Sequence, residues 1–196
     1  MRILILSDTH GTIRRSTAVF EKLSKSDKID MIFHAGDYDR DADELQNTLA
    51  VPVISVRGNC DYCMKRDFKV IAVPSGNVLL THGHMEGVNR DLNTLRYLAQ
   101  ENGCNTAVFG HTHVPLFLRE DDITIINPGS LTYPRDGSHG SCFLMESTRE
   151  NGLDGTILYY ADLFPDEFSR EFGAKSRKKK ARGGFLRKIM NYSDGL

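Results

Sequence analysis

Tryptophan is absent from this 196-residue chain, which by itself excludes nothing, and cysteine is sparse. The four cysteines, Cys60, Cys63, Cys104 and Cys142, show no disulfide-framework spacing. A chain of this length buries a sizeable core without covalent staples, so a disulfide scaffold is excluded. Cys60-x-x-Cys63 stands alone, without the second pair or histidine partner that a structural zinc site needs. No apolar run approaches the roughly 20 residues of a membrane-spanning helix. Met1 leads straight into a strand-like segment with no signal-peptide pattern, so a cytoplasmic protein is expected. Net charge is also nearly missing, at −1, but it hides an asymmetry. From Asp166 onward 9 Lys and Arg face 4 Asp and Glu, a balance of +5, against −6 for the rest. Only this tail hints at an anionic partner.

The first third of the chain has a β-α-β-α-β rhythm. Arg2-Ile-Leu-Ile-Leu6 is a nearly continuous apolar run, as expected of a strand buried on both faces. Ser16–Leu23 has helical apolar spacing, Met31–Phe33 is a second strand, Ala42–Leu49 a second helix and Val53–Val56 a third strand. Right-handed crossovers place such strands in one parallel sheet with their carboxyl ends along one rim. The pattern then turns antiparallel, with Phe68–Val73 against Asn77–Leu80. A helix spans Asp91–Glu101, and Thr106–Phe109 is a buried strand. Leu116–Arg119, Ile123–Ile126, Ser141–Met145 and Thr156–Tyr160 complete the strands. Beyond Tyr160, Phe164, Phe168 and Phe172 recur every four residues, followed by Lys175–Arg182 and the apolar-basic segment Phe185–Met190. The expected organisation is a domain over 1–163 and a basic, partly apolar extension over 164–196.

Each early strand ends in residues able to bind metal. Asp8 and His10 follow the first, Gly36-Asp37 the second, Gly58-Asn59 the third, and His82 follows Thr81. Gly110-His111-Thr112-His113 follows the buried strand, its two imidazoles two positions apart and so sharing one side of an extended backbone. Open α/β sheets place ligands at such carboxyl ends. Buried carboxylates demand a counter-charge, which metal ions supply. Nitrogen and oxygen ligands without thiolate suit manganese, iron or zinc rather than calcium or magnesium. Asp8, His10, Asp37, Asn59, His82, His111 and His113 are too many for one tetrahedral zinc. They suit two ions sharing a carboxylate, typically about 3.5–4 Å apart.

These blocks, Asp8-x-His10, Gly36-Asp37, Gly58-Asn59-x-Asp61, His82-Gly83 and Gly110-His111-x-His113, resemble the signature of the calcineurin-like metallophosphoesterases. In length and order, residues 1 to about 160 are most similar to the small YfcE-type phosphodiesterases. The resemblance implies a four-layer α/β/β/α sandwich. It implies that Asp8, His10, Asp37 and His113 hold one divalent ion and Asp37, Asn59, His82 and His111 the other. Manganese is expected first, with nickel, zinc or iron as alternatives. It further implies hydrolysis of a small or nucleotide-like phosphodiester by a hydroxide between the metals, with Asn59 steadying the phosphoryl oxygens.

Many members of the superfamily carry histidine directly after the ligand Asn, and Cys60 stands there instead. A thiol near its ordinary pKa is a poor substitute for imidazole as a proton donor, so either the enzyme favours leaving groups needing little proton assistance or His84 is the general acid. Arg57 and Arg135 are candidate cationic contacts or surface ion-pair partners. His34 and Asp61 are supporting or merely structural, and Asn127 and Ser130 line the pocket or form a turn. Rival functions are a phosphomonoesterase, a nuclease using the basic tail on nucleic acid, and a non-catalytic scaffold of this fold like a retromer subunit with eroded ligands. The tail could equally serve an acidic membrane surface or a homo-oligomer.

Overall fold

The computed structural model describes residues 1–62, 64–120 and 122–167. The chain divides into two compact units after Tyr160, and the first of them, Met1–Tyr160, holds both sheets. Cys63 and the tail segments beyond residue 167, Phe168, Phe172, Lys175–Arg182 and Phe185–Met190 among them, lie outside the described residues.

Two mixed five-stranded sheets form the body. The first is built on β1 (Arg2–Leu6), β2 (Met31–His34) and β3 (Val53–Ser55), which are parallel, as the apolar runs and intervening helices predicted. Helices α1 (Arg14–Ser24) and α2 (Asp39–Thr48) make the crossovers. The sheet is extended on the other side of β1 by antiparallel β9 (Ser141–Thr148) and β10 (Gly152–Tyr159). The second sheet has the order β4-β5-β6-β8-β7, from β4 (Phe68–Val73), β5 (Gly76–Thr81), β6 (Thr106–Val108), β7 (Leu116–Arg119) and β8 (Thr124–Asn127). In it β5, β6 and β8 run parallel, while β4 and β7 are antiparallel edges.

Side chains alternate along a strand, and this sorts the core into layers. Ile3, Ile5, Phe33 and Val56 of the first sheet meet Val78, Leu80, Val108 and Ile126 of the second in one apolar cluster between the sheets. Leu79, Ala107 and Ile125, on the opposite face of the second sheet, pack with Leu95 and Ala99 of α3 (Asn93–Glu101). Leu4 and Ile32, turned away from the inter-sheet core, are fully buried, as are Val19 of α1 and Leu45 of α2. The expected four-layer arrangement is therefore present. The strands that end in the candidate ligands are divided between the sheets, β1, β2 and β3 in the first and β5 and β6 in the second. Face-to-face packing brings the carboxyl ends of both sheets together.

Candidate metal centre

Asp8 and His10 follow β1, Asp37 follows β2, Asn59 follows β3, His82 follows β5, and His111 and His113 follow β6. The segments that carry them are not extended. Asp8, His10, Asp37, Tyr38, His111 and His113 all adopt positive φ, between 49° and 73°. That region is costly for residues with a Cβ and persists only when the surroundings over-determine it. Here the strand-end loops bind one another. The Asp8 amide donates to the Gly36 carbonyl (3.1 Å) and the Gly110 amide to the His82 carbonyl (3.1 Å). Ser130 Oγ donates to the Asp8 carbonyl (2.8 Å), and Asn127 Nδ2 to the Gly110 carbonyl (2.8 Å). Asn127 and Ser130 are fully buried, so they hold the loops from below rather than line a pocket.

The imidazoles carry the decisive geometry. His82 Nδ1 meets the Ala35 carbonyl at 2.7 Å and His113 Nδ1 the Tyr133 carbonyl at 2.6 Å. A carbonyl only accepts, so each Nδ1 carries a proton, and in the neutral tautomer the lone pair of each ring lies at Nε2. His82 Nε2 then faces Asp37 Oδ1 (3.3 Å) and Asn59 Oδ1 (3.1 Å). His113 Nε2 faces Asp8 Oδ1 (3.2 Å) and His10 Nε2 (3.3 Å), and His10 Nε2 lies 3.7 Å from Asp37 Oδ2. In that tautomer, acceptors converge on acceptors. Asp8, with no exposed surface, has no hydrogen-bond donor at Oδ1 among the described residues. Such an array needs cations between its members, and the donor set fits divalent metals. The ligand atoms fall into overlapping sets, Asp8-His10-His113 and Asp8-Asp37-His82, each within 4.8 Å.

Two placements depart from the expected set. His111 Nε2 is turned to Asn89 Nδ2 at 2.8 Å, although its ring lies 5.2 Å from that of His82. Cys60, absent from the expected ligands, joins His10 and Asp37 in a third set of converging atoms. Its position next to Asn59 was the available signal. Asp61 supports the centre from behind. Its Oδ1 accepts from the Tyr38 and Asp39 amides (2.8 Å each) and its Oδ2 from the Gly58 amide (2.7 Å), locking the Asp37 and Asn59 loops together. Asp41 does the same for the first loop, accepting from the Gly11 amide (2.8 Å). Arg57 is paired with Asp67.

Residues 1–150 match the model of the calcineurin-like phosphoesterase superfamily domain. The chain belongs to that superfamily. A probable metallophosphoesterase of Bacillus subtilis, YsnB, is 32% identical over 69% of this chain and 78% of its own. The Escherichia coli phosphodiesterase YfcE is 26% identical over 75% of this chain and 88% of its own. The crystal structure of a predicted phosphoesterase from Streptococcus pneumoniae superposes with a TM-score of 0.63 at 26% identity. It covers 81% of this chain and 97% of that one.

The electrostatics of this phosphoesterase suit a cation-seeking centre. Burial opposes charge on Asp8, but the flanking His113 and His82 outweigh it and hold the carboxyl below its usual range. Burial likewise opposes protonation of His113, and the Asp8 carboxylate outweighs it and raises the imidazole. Burial, then the Asp37 carboxylate, push the Cys60 thiol up to about 11, which keeps it protonated at neutral pH in the metal-free protein. Burial and His82 lower His84, whose Nδ1 has no hydrogen-bond partner among the described residues.

His34 is the structural histidine of the group. Its ring is fully buried, with Nε2 3.1 Å from Thr9 Oγ1, and burial pushes its pKa down to about 4. Between about 4 and the ordinary value near 6.5, the unfolded chain binds a proton that the folded one refuses. Stability is therefore lost as pH falls through that window, by about 3 kcal/mol from this group. Urea unfolding of metal-stripped protein at pH 7 and pH 4 is expected to show the wild type losing that much more than His34→Gln. Parallel losses in the two proteins contradict it.

Proposed function

We propose that the protein is a phosphodiesterase working with two divalent metal ions on a small or nucleotide-like diester. Residues 1–163 would form the catalytic domain and 164–196 an extension. The observation that carries the reading is the convergence of the His82 and His113 Nε2 lone pairs on the Asp37 and Asp8 carboxylates, with Asp8 Oδ1 buried and undonated. Asp8, His10, Asp37 and His113 would hold one ion, and Asp37, Asn59, His82 and His111 the other, Asp37 being shared. To serve as the last of these, His111 would give up its Asn89 contact. When bound, the pair supplies Lewis acidity and a hydroxide at neutral pH. The chain's own residues do the rest. The Ala35 and Tyr133 carbonyls fix the tautomers of His82 and His113 and so the direction of their lone pairs. Asn59, exposed at the end of its loop, offers its amide to the phosphoryl oxygens as charge develops. His84, half-buried with its ring 5.3 Å from His82 and 6.2 Å from His111, would protonate the leaving oxygen. Cys104 and Cys142 are free thiols, which accords with work in the reducing cytoplasm.

Metal-stripped protein titrated with Mn, Ni, Zn and Mg tests this, with bis(p-nitrophenyl) phosphate and the corresponding monoester as substrates. The expected result is metal-dependent turnover of the diester, highest with Mn and abolished in His82→Ala. His84→Ala is expected to slow esters with poor leaving groups while sparing nitrophenyl esters. Faster turnover of the monoester would make the enzyme a phosphomonoesterase. Two bound ions with no turnover of either ester would favour the scaffold.

A further inference from the structure

A cavity of about 440 Å³ opens beside the metal centre, lined by His10, Tyr38, His113, Tyr133, Pro134 and Arg135. We propose that it is a subsite for a nucleobase, held on the rings of Tyr38 and Tyr133, with Arg135 meeting the anionic part of the same molecule. The inference rests on the phosphodiesterase reading for its link to chemistry, though not for the binding itself.

The two tyrosines are unusual in being exposed at the ring and fixed at the backbone. Tyr38 is 41% and Tyr133 57% exposed. Each packs edge-to-face with His10, at centroid distances of 5.3 and 5.4 Å. Tyr38 is held at a φ of 73°, a cost that its Asp61-bound amide helps to offset. The Tyr133 amide donates to Ser130 Oγ (2.9 Å), and its carbonyl accepts from His113. Both rings are thus placed by the same bonds that position metal-ligating residues, and neither spends its aromatic face on the core. The Arg135 amide donates to the His113 carbonyl (3.2 Å), which sets this cation at the same wall. Among the described residues Arg135 has no carboxylate partner.

Size and chemistry together choose the occupant. The volume lies in the range of small-ligand pockets and far exceeds a phosphate alone. An aliphatic alcohol would leave two aromatic faces in water. A planar base gains stacking on them, which is tolerant of base identity and strengthens binding about tenfold or more. Arg135 complements a second negative charge, as nucleotides carry.

Calorimetric binding of adenosine 5′-monophosphate and of glycerol 3-phosphate to the manganese-loaded full chain tests the subsite without turnover. The variants are Tyr133→Leu, at an exposed ring, and Tyr38→Asn, since asparagine tolerates positive φ. Wild type is expected to bind the nucleotide at least tenfold more tightly than glycerol 3-phosphate. Each variant is expected to lose most of that preference with its glycerol 3-phosphate affinity unchanged. Equal affinities in wild type, no binding of either ligand, or a preference intact in both variants would overturn the subsite. A tyrosine-dependent preference in a protein that turns over no diester sinks the phosphodiesterase reading and leaves the subsite standing. Diester turnover without the preference does the reverse.

Discussion

Asp37→Asn is expected to lower kcat/KM on a diester by on the order of 10³-fold and to cut the bound metal below two per chain. Both carboxylate oxygens of Asp37 are committed to the array. Oδ1 accepts from the Cys60 amide (3.0 Å) and faces His82, and Oδ2 faces His10. The amide keeps the size and shape of the carboxylate, so the fold has no reason to change. It removes the charge that would be shared between two ions, and it turns an NH₂ toward one imidazole lone pair. A metal ion would then be replaced by a hydrogen bond, the cheapest way for the site to satisfy its acceptors. The variant is therefore expected to be at least as stable as wild type without metal, and to gain less from manganese on thermal unfolding. Metal content by elemental analysis, read beside kcat/KM, checks the prediction. Full metal occupancy with less than a tenfold loss of activity would mean that Asp37 is not the shared ligand.

Much of this arrangement was legible in the chain. Apolar runs at Arg2–Leu6, Met31–Phe33, Val53–Val56 and Thr106–Phe109 lead into Asp, His or Asn, and strand carboxyl ends are where α/β sheets carry ligands. What periodicity could not show was that two sheets contribute, since His82 and His111 follow strands whose partners are set by pairing rather than by local pattern. Nor could it show the backbone at the site. Alternation describes an extended chain, and His111 and His113 are both left-handed, at φ of 63° and 58°. Tertiary bonds hold those conformations, among them the Asn127 bond to the Gly110 carbonyl and the His111 amide's bond to Asp8 Oδ2. Asp61 was visible as a carboxylate near Asn59, but its work on three amides is a property of loops meeting across 22 or more residues of sequence as well as within one turn. Residue type alone argues against Cys60 as a ligand, and its proximity to His10 and Asp37 is a fact of packing.

Gly58→Ala is the second change expected to have a large effect, and its reason is close approach rather than backbone freedom. A methyl group at Gly58 would fall on Asp37, overlapping both its backbone nitrogen and Oδ1. Neither can retreat, because the neighbouring Tyr38 amide is tied to Asp61 and Oδ1 is held by the Cys60 amide. Overpacking of this kind costs about 1–3 kcal/mol. The displacement also carries the Asp37 carboxylate away from His82, so metal binding and diester turnover should fall with stability. Gly87→Ala separates this from ordinary glycine strain. Gly87 has a φ of 66° with nothing within 4 Å of an added Cβ. Its replacement is expected to cost about 1 kcal/mol through the backbone alone and to leave metal content unchanged. Urea midpoints and metal content of the two variants decide between the causes. A Gly58→Ala protein that keeps its metal would show that the Asp37 loop yields, and that the site is set by its ligands rather than by the close contact beneath them.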